Sequence, residues 1–80
     1  MTNGTLWKAA VHKKYIVEAI LIEDLLARRL EALGINEGTP IEILTRKRSG
    51  AMVVKVRGTR LALGKHISSN IEVREEAVNE

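Results

Sequence analysis

Met52-Val53-Val54-Lys55-Val56-Arg57-Gly58-Thr59-Arg60-Leu61-Ala62-Leu63 decides the fold of this 80-residue chain. Met52, Val54 and Val56 alternate with Val53, Lys55 and Arg57, the period of two that marks a strand with one buried face. A tight turn at Gly58 then leads to a second run through Leu61 and Leu63. Upstream, Ile41 and Ile43 alternate in the same way with Glu42 and Leu44, and Arg48-Ser49-Gly50 reads as the turn between. Downstream, a polar stretch from Gly64 to Asn70 precedes a last strand, Ile71 to Arg74. Before Pro40 the period is 3.6 instead. Leu26, Leu30 and Leu33 form one apolar stripe with Leu25 on its flank, Glu23 and Asp24 suit a first helical turn, and Gly34 suits the exit. The β-branched run from Tyr15 to Ile22 supplies a first strand.

The pattern predicts a mainly β domain with one helix, in the order strand–helix–four strands. Strands this short would leave long exposed edges in a flat sheet, so curling into a small barrel is expected, with the helix plugging one side or end. The expected divisions are an N-terminal segment over 1–14, the barrel domain over 15–74 and an acidic tail over 75–80. Trp7 is expected to pack down onto the barrel from the first of these.

Composition narrows the function. With no cysteine there is no disulfide framework, thiolate metal site or thiol nucleophile. The longest apolar run, Ile16 to Ile22, is broken by Glu18 and is too short to span a bilayer, so a cytoplasmic domain is expected. Ile, Leu and Val dominate the apolar residues, with one Trp, one Tyr and no Phe, so the core must be aliphatic and small. The net charge of +3 conceals a segregation. Residues 45–70 hold Arg46, Lys47, Arg48, Lys55, Arg57, Arg60 and Lys65 with no acid, while acids predominate over 15–44 and 71–80. Such a block predicts a basic face if the side chains converge.

No catalytic set emerges. His12 and His66 are the only histidines, and no serine stands in a Gly-x-Ser-x-Gly elbow. The pair Glu23-Asp24 is accounted for by helix-start electrostatics and Glu75-Glu76 by a solvated tail. Gly58 to His66 imitates a phosphate-binding loop but has five residues between its glycines, and His66 stands where the magnesium-binding hydroxyl belongs. The two histidines lack metal-ligand spacing, so no intrinsic metal site and no cofactor are expected. The basic block fits either an acidic protein partner or a nucleic-acid strand, but its strands carry no aromatic platform for stacking bases.

Leu25-Leu26-Ala27-Arg28-Arg29-Leu30-Glu31-Ala32-Leu33-Gly34-Ile35, followed by Glu37-Gly38-Thr39-Pro40-Ile41-Glu42-Ile43, resembles the ferrous iron transport protein A (FeoA) family. Val56-Arg57-Gly58-Thr59-Arg60-Leu61-Ala62-Leu63 is similar to that family's second signature. The resemblance covers about residues 15–74. It implies an SH3-like barrel with an inserted helix, and small cytoplasmic proteins that assist FeoB, a ferrous-iron permease of the membrane. It also implies turn or cap roles for Gly34, Gly38 and Gly58, core roles for Leu26, Leu30, Leu61 and Leu63, and transition-metal binding at family level. The N-terminal Leu6-Trp7-Lys8-Ala9-Ala10-Val11 departs from the family's Leu-x-x-Leu-x-x-Gly lead-in.

The expectation is therefore a non-enzymatic adaptor or regulator that binds a FeoB-like permease and meets the membrane only through it. A weak or shared divalent-metal contact fits the same reading. If Ile41 and Ile43 on one strand and Met52, Val54 and Val56 on the next face the core, Leu44 and Val53 fall outward. Together with Lys55, Arg57 and Arg60 they form the expected partner-binding surface. Two alternatives remain. One is a single-strand nucleic-acid binder using Arg46, Lys47, Arg48, Lys55 and Arg57. The other is a metal-responsive domain like the C-terminal barrel of DtxR-type repressors, with His12 or His66 as ligand.

Overall fold

The computed structural model describes residues 3–76. Six strands form one antiparallel sheet: β1 (Asn3–Thr5), β2 (Lys14–Ile20), β3 (Pro40–Arg46), β4 (Met52–Val56), β5 (Thr59–Leu63) and β6 (Ile71–Glu75). Their spatial order is β1-β6-β2-β3-β4-β5. A helix, α1 (Asp24–Ala32), is inserted between β2 and β3. A single 3-10 turn, Leu6–Lys8, follows β1, and a four-residue helix, α2 (Lys65–Ser68), precedes β6.

The period-two reading of the strands holds. Ile41 and Ile43 on β3, Met52, Val54 and Val56 on β4, and Ile71 and Val73 on β6 are all buried in one aliphatic cluster with Val17. Two interruptions in register curve the sheet: one in β2 between Val17 and Ala19, the other in β3 between Ile43 and Thr45. An extra residue in one strand bends that strand and raises its twist, which lets six short strands wrap a single core.

The sixth strand comes from the segment before residue 15. Asn3–Thr5 pairs with Glu72–Arg74 of β6, and Leu6 and Ala9 are buried with the core. Residues 3–14 are thus part of the sheet and its core. Of the acidic tail, Glu75 belongs to β6 and the Glu76 amide donates to the Lys14 carbonyl. Residues 77–80 lie outside the described residues. The polar stretch from Gly64 holds α2, where the Ser68 hydroxyl donates to the Gly64 carbonyl at 3.0 Å.

Helix α1 differs from its expected stripe. Leu30 is its only buried residue, Leu26 is half-buried, and Leu25 and Leu33 are 66% and 50% exposed. The C-terminal lock explains the choice of Leu30. The Ile35 amide donates to the Leu30 carbonyl at 2.9 Å and the Gly34 amide to the Glu31 carbonyl at 3.0 Å. This is a Schellman motif, in which the residue after the left-handed glycine packs on the residue five before it. Ile35 and Leu30 are accordingly buried together, and Gly34 takes φ +94°. Leu33 lies beyond the last helical residue and so leaves the stripe. The helix leans on the barrel through one turn and does not plug it.

Candidate functional site

β3, β4 and β5 carry most of the expected partner surface. Their registers place Glu42 opposite Lys55, and Lys55 opposite Arg60, in one row across the three strands. The neighbouring row runs Thr45, Val53, Ala62. Leu44 is the residue left over at the β3 bulge, next to that row, and like Val53 it is half-buried. Lys55, Arg60 and Ala62 are exposed. Leu44, Val53, Lys55 and Arg60 therefore lie on adjoining positions of three neighbouring strands.

Arg57 is not among them. Arg57 and Gly58 form the two-residue loop between β4 and β5, with φ of 53° and 85°. Two left-handed residues in succession define a type I′ turn, whose twist matches that of the strands. From this corner the Arg57 Nε reaches the Gly34 carbonyl at 3.4 Å, and its Cδ would lie 3.1 Å from any Cβ added at Gly34. A cation suits the carbonyl end of a helix. Arg57 so braces the exit of α1.

Arg46 is also committed. Its guanidinium donates to the carbonyls of Trp7, at 2.7 Å, and of Ala9, and it sits 5.6 Å from the centroid of the Trp7 ring. The Lys65 ammonium lies 5.3 Å from the same centroid, and the ring edge approaches Gly50. Trp7 packs down as expected, held by cations against the β3–β4 turn and α2. Leu61 is half-buried against the core and Leu63 is buried, while Gly38, at φ +88°, turns the chain into β3.

His66 Nε2 meets both carboxylate oxygens of Glu23, at 3.1 and 3.2 Å. The pair joins α2 to the entry of α1. Glu23's own backbone amide, and after it the His66 ring, hold the Glu23 carboxyl below its ordinary range. The sign follows from linkage. A depressed folded-state pKa contributes stability above the unfolded value, and that contribution is lost as pH falls through the folded value. The urea midpoint of Glu23→Gln should therefore fall short of the parent's at neutral pH, and the gap should close on acidification below the ordinary carboxylate range. Both groups are exposed, so the gap will be small. No cluster of three or more His, Cys, Asp or Glu side chains able to hold a metal occurs among the described residues.

The apolar exposure that sequence reasoning missed lies beside α1. Among the described residues, Leu21, Leu25 and Leu33 are the exposed large hydrophobic ones, Leu21 at 57%. The run from Tyr15 to Ile22 places Leu21 inside the first strand, but β2 ends at Ile20 and Leu21 falls in the connection to α1. No helix among the described residues is long and apolar enough to cross a membrane.

A curled antiparallel sheet with a helix inserted after its first long strand, and a helical turn before its last, is an SH3-like barrel. Comparison with known sequences makes the assignment specific. The FeoA domain matches residues 5–75, and the chain belongs to that family. A crystal structure of an iron uptake regulatory protein (FeoA) is 26% identical, with a TM-score of 0.84 over 95% of this chain and 100% of that one. A FeoA-like protein from Clostridium acetobutylicum, solved by NMR, is also 26% identical, with a TM-score of 0.82 over 100% of this chain and 95% of that one. A manganese-dependent transcriptional repressor shares the fold at 20% identity, with a TM-score of 0.86 over 92% of this chain and 42% of the repressor. A comparison with curated proteins finds no match. Family membership supports involvement in ferrous iron transport.

Proposed function

We propose that this chain is a non-enzymatic cytoplasmic accessory protein of ferrous iron uptake that binds the cytosolic part of a FeoB-type permease. The observation that carries the reading is the outer face of β3–β5, where half-buried Leu44 and Val53 adjoin exposed Lys55 and Arg60. An apolar centre beside unpaired charge is the composition of a modest docking surface. Neither Lys55 nor Arg60 lies within ion-pair distance of a carboxylate among the described residues. Charge there would steer an acidic partner, and the apolar pair would hold it.

The nucleic-acid alternative loses support in the same structure. Of its five bases, Arg46 is bound to carbonyls and Arg57 to the end of α1, and the Trp7 ring already carries two cations.

The test is a titration of the isotopically labelled domain with the permease's cytosolic region. Shifts should centre on Leu44, Val53, Lys55 and Arg60, and Arg60→Glu should weaken binding about tenfold at low salt. Shifts confined to α1 and its exposed leucines would move the surface there. An absence of binding at low salt would reject the adaptor reading for that permease.

A further inference from the structure

The docking surface proposed above ends at an open strand, and its backbone specifies how a partner would be held. β5 is the last strand of the sheet. A two-residue loop sets its pairing with β4, so Val56 and Thr59 exchange hydrogen bonds, as do Val54 and Leu61. The pairs between them, Lys55 with Arg60 and Val53 with Ala62, do not. On β4 the backbone groups of Lys55 face β3, where Glu42 is its partner. On β5 the amides and carbonyls of Arg60 and Ala62 face away from the sheet. No other described residue bonds to them.

The side chains add a second constraint. Across the outer face the charges run Glu42, Lys55, Arg60, and then the edge. Non-hydrogen-bonded pairs bring side chains closest, and like charges directly opposite each other destabilise a sheet. Lys55 and Arg60 occupy such a pair, and the next position outward would relieve them only with an acid. The neighbouring row, Thr45, Val53, Ala62, offers a small apolar site two residues along. Leu61, half-buried between them on the inner face, would be covered by an apolar residue.

We propose that β5 accepts an extended acidic segment of the partner as a seventh strand, with a carboxylate beside Arg60 and an apolar residue beside Ala62. The inference rests on the docking surface above and deepens it by naming the partner's geometry and charge. Main-chain bonds to Arg60 and Ala62 supply the affinity, and alternate side chains supply the selection. A second copy of this chain is disfavoured, because pairing two β5 edges would gather two Lys55 and two Arg60 side chains at one seam. Charge on an edge strand is a recognised guard against such self-pairing.

Amide hydrogen exchange on the full chain tests the proposal, alone, with the permease's cytosolic region, and with the seven-residue peptide Thr-Val-Val-Glu-Val-Val-Thr (the Glu–Val peptide) or the same peptide with Lys in place of Glu (the Lys–Val peptide). Saturation with the permease region, or with the Glu–Val peptide, should slow exchange at Arg60 and Ala62 at least tenfold. The Lys–Val peptide should leave both unchanged. Ala62→Pro removes an edge donor that β4 does not use, a place where proline is tolerated, and should weaken binding at least tenfold. Arg60→Glu, which keeps every backbone group, should lose the preference for the acidic peptide.

Permease binding that leaves both amides exchanging freely overturns the added strand and leaves the adaptor reading standing. Protection by the Glu–Val peptide without permease binding supports the edge site and rejects that permease as its occupant. Equal protection by the Lys–Val peptide overturns the acidic assignment. Protection that rises with protein concentration alone overturns the choice of occupant in favour of a second copy.

Discussion

Leu6→Ala is expected to destabilise the domain by about 2–5 kcal/mol, the range for deleting most of a buried leucine side chain. An 80-residue domain has about 4–12 kcal/mol of stability in total, so the loss would be a large fraction of the whole. Leu6 is fully buried, directly after a strand that pairs with β6, and its carbonyl accepts from the Ala9 amide. Ala9 is buried beside it, and the Ala10 amide donates to the Tyr15 hydroxyl at 2.8 Å. The segment therefore cannot slide to fill the space a shortened side chain would leave. Urea unfolding followed by far-ultraviolet circular dichroism measures the effect. A midpoint within error of the parent's would show that residues 3–14 are a loose appendage.

Arg46→Met is the second large effect, expected to cost about 2–3 kcal/mol. Hydrogen bonds from a charged donor contribute about 1.5–3 kcal/mol each when well formed, and partial exposure reduces the sum of two. The methionine keeps the aliphatic stem against Trp7 but leaves the Trp7 and Ala9 carbonyls without their donor. Arg46→Lys separates charge from geometry. A lysine preserves the positive charge near the ring, yet lacks the planar fork that reaches two carbonyls at once. It should recover less than half of the loss. Trp7 is the only tryptophan, so its fluorescence reports the same event directly. Emission should shift to the red in Arg46→Met as the N-terminal segment loosens. Unchanged emission and stability would mean that the segment is held by Leu6 alone.

Much of the barrel was legible because its signals are local. Alternation assigned Ile41, Ile43, Met52, Val54 and Val56 to the core, and all five are buried. Gly34 and Gly58 take left-handed positions, φ +94° and +85°, where each closes a local turn that a residue without a Cβ enters at no steric cost. The family resemblance agreed with these elements and supplied the function that the residues alone did not name.

The misses share a cause. β1 escaped detection because three residues cannot display a period, and a strand that short exists only because β6 offers it partners. Leu25 and Leu33 were assigned to the helix stripe, but which leucine a two-turn helix buries depends on how its exit is locked to the barrel. The seven bases of residues 45–70 looked like one face. In the structure Arg46 serves the N-terminal segment, Arg57 serves α1, Lys65 caps Trp7, Lys47 and Arg48 sit in the β3–β4 connection, and Lys55 and Arg60 stand side by side on the sheet.

Periodicity, glycine placement and the absence of cysteine determined that this chain is a small aliphatic barrel without thiolate chemistry. Those properties belong to neighbouring residues, and the chain carries them wherever it goes. Which strand forms the edge, which cations are consumed in bracing the fold, and which remain for a partner were decided only by tertiary structure. These are relations between residues distant in sequence, and strand register creates them when the sheet closes.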